Sequence, residues 1–302
     1  MTRIAALLFA AVAVLTACGP EPRTAQSPTP TSASPALAGG RADVGGYELA
    51  WRCEGTGEPT VVLEAGLGGS GADAFYDIFD DVAKISRVCT YDRAGTGVSG
   101  DRPEGTHVTA GLMAEELHAL LDEIGVGRPV VLLGHSYGGM PVRAFEGEYP
   151  DEVAGMILLD VSSEPEVPVY ERLGVGDWID DTDRIDMDAT VRELRAAGDL
   201  GDLPLVVVTA GVIDDQYLAT VPKLAARAQT RLAGLSTNAI HVVATDSGHF
   251  VFEDEPDVVL AAIRAVVDAA QNGQPLPPCN EAFSDLEIEC VAPGTVPALD
   301  VA

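Results

Sequence analysis

Basic residues are scarce in this chain. Its 302 residues include 18 Lys and Arg against 47 Asp and Glu, a formal net charge of −29 at pH 7. Only two of the basic residues are lysines, Lys84 and Lys223. Contacts to a phosphate backbone need clusters of Lys and Arg, and the sequence contains none. The composition therefore argues against a nucleic-acid partner and predicts a domain that its acidity keeps soluble.

The apolar run near the N-terminus is too short to span a bilayer. It extends from Ile4 to Leu15, whereas a spanning helix needs about 20 apolar residues. A run of this length after Arg3 is typical of a signal peptide. It ends in Leu-Thr-Ala-Cys, which resembles the lipobox of bacterial lipoproteins. That resemblance implies a signal peptide over 1–17 and two acyl chains on Cys18, enough for stable membrane anchoring.

We therefore expect an exported lipoprotein on the outer face of the cell membrane. The alternative is an ordinary secretory signal, which would release a secreted protein. Residues 18–40 are rich in Pro, Ser, Thr and Ala and show no periodic apolar face, so we expect a disordered tether. Folding is predicted over 41–271, a length that suits one α/β domain. A separate tail is predicted over 272–302.

The sequence has no Cys-x-x-Cys pair, which removes support for a redox or zinc motif. Besides Cys18 there are four cysteines, Cys53, Cys89, Cys279 and Cys290. An even number in an exported protein predicts two disulfides, with three possible connectivities.

Strand-like and helix-like patterns alternate after residue 41. The apolar runs predict strands over 47–53, 60–64, 87–91, 129–133, 153–160, 205–209 and 241–245. The amphipathic segments predict helices over 75–84, 109–124, 138–148, 225–233 and 256–270. Repeated β–α alternation predicts an α/β fold with a mostly parallel sheet and helices on both faces.

The segment Gly134-His135-Ser136-Tyr137-Gly138 joins one of these strands to the next helix. A serine flanked by glycines two positions away, between a strand and a helix, is the pattern of a nucleophile elbow. The serine occupies the apex of a strained turn. Side chains at 134 and 138 would collide where the strand and the helix approach each other. Ser136 is therefore the candidate nucleophile.

Three further segments follow the order found in α/β-hydrolases: Glu64-Ala65-Gly66-Leu67-Gly68-Gly69, Tyr91-Asp92-Arg93-Ala94-Gly95-Thr96-Gly97-Val98-Ser99 and Ser247-Gly248-His249-Phe250. With the elbow, they make residues 44–271 resemble that superfamily, although Ala65 replaces its usual histidine. The resemblance implies the α/β-hydrolase fold with a short cap over about 161–203. It also makes the strands that hold Cys53 and Cys89 neighbours, so Cys279 and Cys290 would close a loop in the tail.

The same resemblance implies a catalytic triad in the chain order Ser, acid, His. His249 lies after the last strand and before the final helix, so it is the candidate base. The acid has two candidates. Asp160 ends the strand 153–160, and Asp214 follows the next strand. We favour Asp160, because the segment 212–216 around Asp214 lacks the residues that usually follow the acid at this position in the superfamily.

A tetrahedral oxyanion needs two preorganised N–H donors. The elbow motif names the N–H of Tyr137, and Leu67 is the position that resembles the second donor. Taken together, the sequence predicts a serine hydrolase that cleaves a small carboxylic ester through an acyl-enzyme, with no metal or organic cofactor. The alternatives are an aminopeptidase or amidase with the same triad, and a non-catalytic exported binding protein.

Overall fold

The structure is a computed structural model that describes residues 38–172, 178–180, 183–216 and 218–301. The predicted signal peptide (1–17), Cys18 and most of the predicted tether (18–40) lie outside these residues. None of the helices in the described part of the chain combines the length and apolar character needed to cross a bilayer.

The strands and helices alternate as the sequence predicts. The strands are β1 Ala38–Asp43, β2 Glu48–Glu54, β3 Val61–Glu64, β4 Val88–Tyr91, β5 Val130–His135, β6 Val153–Leu159, β7 Ile179–Asp180, β8 Asp183–Arg184, β9 Leu205–Ala210, β10 Val212–Ile213, β11 Ala239–Ala244, β12 Ile288–Cys290 and β13 Asp300–Val301. The helices are α1 Gly71–Ala74, α2 Tyr76–Ile85, α3 Ala110–Glu123, α4 Gly139–Glu148, α5 Val167–Arg172, α6 Met187–Ala197, α7 Pro222–Ala233, α8 Val251–Asp254, α9 Pro256–Asn272 and α10 Cys279–Ala282.

The main sheet has nine strands in the order β1-β2-β4-β3-β5-β6-β9-β11-β12. The six strands from β4 to β11 run parallel to one another. The strands β1, β2 and β12 add antiparallel edges. The predicted fold class, a mostly parallel sheet with helices, is confirmed.

Apolar side chains cover both faces of the sheet. In β5, Val130 and Leu132 pack in one core, while Val131 and Leu133 pack in the other. Helices α3 and α4 contribute to the first core and helices α2 and α9 to the second. Burial on both faces explains why the central strands are apolar without alternation. The carboxyl ends of the parallel strands meet at one edge of the sheet, where the loops that follow them can bring polar groups together.

Both predicted ends of the folded domain need correction. Strand β1 begins at Ala38, inside the predicted tether, because pairing with β2 orders these residues. The tail predicted over 272–302 belongs to the fold. Strand β12 pairs with β11 as the edge of the main sheet, and β13 pairs with β10. These strands have only three and two residues, too few to show a period in the sequence.

Two disulfides form with the predicted connectivity. Cys53 and Cys89 lie directly opposite each other on β2 and β4 and are bonded. Cys279 and Cys290 join α10 to β12. The second disulfide therefore fastens the edge strand rather than closing a free tail.

Candidate active site

The elbow lies where β5 meets α4. Ser136 follows the last residue of β5 and begins a single turn of 3-10 helix that leads into α4. Its φ is +54°, a conformation that costs a residue with a side chain about 1–3 kcal/mol. Such strain persists only where the surrounding structure imposes it, which is consistent with a functional turn.

The two glycines of the elbow are required by different neighbours. A Cβ on Gly134 would lie 2.7 Å from the carbonyl oxygen of Gly138, which is the predicted collision between strand and helix. A Cβ on Gly138 would instead lie 2.5 Å from the carbonyl oxygens of both Glu64 and Ala65. The elbow is therefore pressed against the end of β3 as well as against its own strand.

The imidazole of His249 pairs with the carboxylate of Asp160. The distance from His249 Nδ1 to Asp160 Oδ2 is 2.7 Å. The other carboxylate oxygen of Asp160 accepts from the backbone N–H of Ala210 at 3.1 Å. Asp160 directly follows β6 and, like the elbow serine, has a positive φ, of +40°. Asp214, the other candidate acid, accepts from the backbone N–H of His249 at 3.4 Å.

This pairing sets the protonation of His249. Burial disfavours the imidazolium, but the hydrogen bond and the negative charge of Asp160 outweigh it and raise the pKa of His249 above its usual value. Because Asp160 accepts the proton on Nδ1, the neutral ring carries no proton on Nε2. That nitrogen is then a base.

Ser136, Asp160 and His249 line one cavity of about 200 Å³, which we call the active-site cavity. Trp178 and Tyr170, from the insertion between β6 and β9, also line it, so the predicted cap contributes to the site. The carboxyl-bearing residues that line the cavity are Asp160, Glu166, Asp214 and Asp215. No Lys or Arg of the described chain lines it.

Glu64-Ala65-Gly66-Leu67-Gly68-Gly69, here called the β3 loop, passes directly against the nucleophile. A Cβ on Gly66 would lie 3.2 Å from Cβ of Ser136. Leu67 and Tyr137 both line the active-site cavity. Within the described residues, no hydrogen bond engages the backbone N–H of Leu67. Tyr137 lies in the first turn after β5, where backbone N–H groups have no intrahelical acceptor.

His135 has a contact that the sequence analysis missed. Neighbouring residues on a strand face opposite ways, so its place next to Ser136 gives no sign of this contact. Its ring centroid lies 4.7 Å from that of His249, and its Nε2 lies 3.0 Å from the His249 carbonyl oxygen. Burial lowers the pKa of His135 to about 3. The ring is therefore neutral, and an N–H on Nε2 can donate to that carbonyl and hold the histidine loop.

No group of three or more His, Cys, Asp or Glu within the described ranges is arranged to hold a metal ion. The polar groups that line the active-site cavity include a serine hydroxyl, an imidazole and carboxyl groups. This set matches what acyl transfer through a serine requires.

Comparison with known proteins agrees with this fold. A family model described as "alpha/beta hydrolase fold" matches residues 59–187. The uncharacterized protein YqjL of Bacillus subtilis is 27% identical over 231 residues, which cover 74% of this chain and 89% of YqjL. A proline iminopeptidase of Saccharolobus solfataricus is 32% identical over 116 residues, but the match covers only 37% of this chain and 36% of that protein.

Among solved structures, a thermophilic esterase from Thermogutta terrifontis superposes with a TM-score of 0.57 at 22% identity. The match covers 77% of this chain and 99% of the esterase. At this identity the likeness concerns the fold.

Proposed function

This chain belongs to the α/β-hydrolase superfamily, and we propose that it cleaves small carboxylic esters through an acyl-enzyme on Ser136. The observation that carries the proposal is the 2.7 Å pairing of His249 with Asp160 in the cavity that Ser136 lines. A hydroxyl is a weak nucleophile until a base removes its proton, and an oriented imidazole supplies that base.

The proposed reaction has two halves. The Oγ of Ser136 attacks the ester carbonyl while its proton passes to Nε2 of His249. The tetrahedral intermediate collapses as the C–O bond to the alcohol breaks, and His249 returns the proton to the departing oxygen. Water then adds to the acyl-enzyme by the same sequence and releases the acid. The carboxylate of Asp160 orients the ring through Nδ1 and stabilises the imidazolium formed in each half.

In this proposal, the backbone N–H groups of Leu67 and Tyr137 bind the oxyanion. They are suited to it because the β3 loop abuts Ser136 and the N–H of Leu67 has no other acceptor in the described chain. Donors fixed in advance stabilise developing charge without reorganising, and each contributes about 10²–10³-fold to kcat.

A fluorophosphonate probe tests the proposal, because it bonds covalently only to an activated nucleophile. We expect the purified protein to be labelled at Ser136 and the Ser136→Ala variant to be inert. Ser284 is exposed and does not line the cavity, so Ser284→Ala is the matched control and should label fully. Absence of labelling in the unaltered protein would favour the remaining alternative, a non-catalytic binding protein with this fold.

A second candidate function, hydrolysis of amides next to a free amine, is favoured by the composition of the cavity. Glu166, Asp214 and Asp215 offer carboxyl oxygens, and no basic side chain of the described chain lines the cavity. Gln229 Oε1 and Trp178 Nε1 are buried without a hydrogen-bond partner in the described chain, and both residues line it. Such orphaned polar atoms cost about 1–3 kcal/mol unless a ligand engages them.

A substrate comparison separates the two functions. We expect p-nitrophenyl esters of short neutral acids to be cleaved with a higher kcat/KM than aminoacyl p-nitroanilides. The amine-directed alternative predicts the reverse order, and it also predicts that N-acetylation of the anilide abolishes cleavage. The esters release p-nitrophenol and the anilides release p-nitroaniline, so absorbance measures both rates and kcat/KM can be compared directly.

Export with a lipid anchor is proposed on the basis of the N-terminal sequence. The two disulfides support it, because such bonds persist mainly outside the cytoplasm. Metabolic labelling with a radioactive fatty acid should mark the protein, and Cys18→Ser should abolish the label. Loss of the N-terminal segment without any acylation would indicate the secreted alternative.

A further inference from the structure

A buried arginine holds the β3 loop. Arg93 is only 2% exposed, and all five of its N–H groups have acceptors. Nη1 donates to the carboxylate of Glu64 and to the carbonyl of Ala65, each at 2.7 Å. Nη2 donates to the carbonyl of Gly66 at 2.6 Å. The remaining donors, Nε and the second N–H of Nη2, face the carboxylate of Asp180 at 2.6 and 2.8 Å.

The acid in this pair comes from the cap. Asp180 is the last residue of β7, in the insertion between β6 and β9, and its side chain is fully buried. Its Oδ1 also accepts from the backbone N–H of Gly68 at 2.7 Å. Arg93 and Asp180 therefore grip the backbone on both sides of Leu67, at the carbonyl of residue 66 and the N–H of residue 68.

Peptide geometry links this grip to the oxyanion donor. The carbonyl of Gly66 and the N–H of Leu67 belong to one planar, trans peptide unit, so they point in opposite directions. When the guanidinium of Arg93 fixes the carbonyl, it also fixes the direction of the N–H. A cation on the carbonyl oxygen further polarises the unit and makes its N–H a stronger donor.

We infer that Arg93 and Asp180 are positioning residues that aim the Leu67 N–H at the oxyanion, so the cap supplies part of the oxyanion site. The inference rests on the proposed function, since it presumes a tetrahedral intermediate on Ser136. The segment Tyr91–Ser99, which served above only to recognise the superfamily, thereby gains a role through one side chain.

The same hairpin offers a matched control. Asp183 on β8 lies directly opposite Asp180 in the β7–β8 pair. Its Oδ2 accepts from Nη1 of Arg102 at 2.6 Å, and that arginine is bonded to Glu116 of α3. This second ion pair also ties the hairpin to the body of the fold. The contacts of Arg102 lie at Glu116, Asp183 and the carbonyl of Ala94, away from the β3 loop.

The experiment compares Asp180→Asn with Asp183→Asn in the full chain, using a p-nitrophenyl ester and a boronic acid that forms a tetrahedral adduct with serine. We expect Asp180→Asn to lower kcat about 10²-fold with KM nearly unchanged, since a misplaced or lost oxyanion donor has that effect. Affinity for the boronic acid should fall by a similar factor. Asp183→Asn should change both quantities less than about threefold, since no oxyanion donor is disturbed.

Two further readouts separate positioning from a general loss of structure. The acid limb of the kcat/KM profile should keep its midpoint in Asp180→Asn, because His249 and Asp160 are untouched. Arg93→Lys provides a second variant should Asp180→Asn fail to fold. It keeps the charge but offers one nitrogen where five N–H groups are engaged, and it should reproduce the loss in kcat and in boronic acid affinity.

The outcomes are distinguishable. Loss of kcat and of boronic acid affinity in Asp180→Asn or Arg93→Lys, with Asp183→Asn nearly unaffected, supports the inference. Equal losses in both aspartate variants, or an unchanged kcat in Asp180→Asn, overturn it while leaving the proposed function standing. An unaltered protein that neither cleaves esters nor reacts with a fluorophosphonate overturns the proposed function and this inference together.

Discussion

Asp160→Asn isolates the pairing on which the proposed mechanism depends. The asparagine has nearly the same shape, so the fold is preserved and only the hydrogen-bond chemistry changes. Asp160 accepts two hydrogen bonds, from the backbone N–H of Ala210 and from Nδ1 of His249. An asparagine amide accepts hydrogen bonds only through its oxygen, and its NH₂ group can only donate.

The size of the loss in kcat depends on whether the amide oxygen or the NH₂ group faces His249. The N–H of Ala210 is a fixed donor, so the amide oxygen turns to it and the NH₂ group faces Nδ1. That nitrogen must then be unprotonated, which places the ring proton on Nε2, where no proton can be received from Ser136. Loss of the correct tautomer lowers kcat by about 10⁴-fold, or about 5 kcal/mol of transition-state stabilisation.

The assay is the steady-state hydrolysis of a p-nitrophenyl ester by Asp160→Asn, with Asp214→Asn as the control. Within the described residues, Asp214 is hydrogen-bonded to the backbone N–H of His249, at 3.4 Å, and not to its ring. We therefore expect Asp214→Asn to retain kcat within a few-fold, because it leaves the tautomer of the ring unchanged. If Asp214→Asn were the more damaging change, the assignment of the acid would be refuted.

The pH profile gives a second test of the same pairing. His249 acts as a base only when neutral, so kcat/KM should fall as the pH drops through its pKa. Asp160 raises that pKa, so its loss should move the acid limb of the residual activity to lower pH. A limb that stays in place would show that Asp160 does not set the protonation of His249.

Three further predictions concern the framework. Gly138→Ala would bring a methyl group to 2.5 Å from two carbonyl oxygens. We expect the free energy of unfolding in urea to fall by roughly 1–3 kcal/mol and ester hydrolysis to be lost. Full activity would contradict the claim that the elbow has no room for a side chain at this position. Replacing Cys53 and Cys89 together by alanine should lower the free energy of unfolding by roughly 2–4 kcal/mol relative to the unaltered, oxidised protein. An unchanged urea midpoint would show that the disulfide does not stabilise the fold. Burial lowers the pKa of His241 to about 4, so between about pH 6.5 and 4 the unfolded chain binds a proton that the folded chain does not, and the free energy of unfolding decreases as the pH falls. His241→Gln should remove up to about 3 kcal/mol of that pH dependence when the two proteins are unfolded side by side over this pH range. An identical dependence of stability on pH in both proteins would contradict the prediction.

The parts of the site that are local in sequence could be predicted. The elbow needs a strand, a strained serine and two glycines within nine residues, and all of them are legible from composition and order. The pairing of Cys53 with Cys89 followed once the strand order was known. In each case a short pattern, or a fold that fixes neighbours, carries the information.

The parts that depend on distant packing could not be predicted. His135 and His249 are 114 residues apart, and no pattern in the sequence couples them. The grip of Arg93 on the β3 loop needs an acid from a two-residue strand 87 positions later. Strand β12 is likewise too short to be recognised without the edge of β11 that it completes.

The central claim is that Ser136, His249 and the N–H groups of Leu67 and Tyr137 surround one reacting carbonyl. A crystal structure of the protein phosphonylated at Ser136 tests it most directly, because the adduct mimics the tetrahedral intermediate. We predict that one phosphoryl oxygen lies about 2.7–3.1 Å from both backbone nitrogens, with Nε2 of His249 facing Oγ of Ser136. A phosphoryl oxygen directed away from both N–H groups, or an imidazole turned from the adduct, would contradict the account.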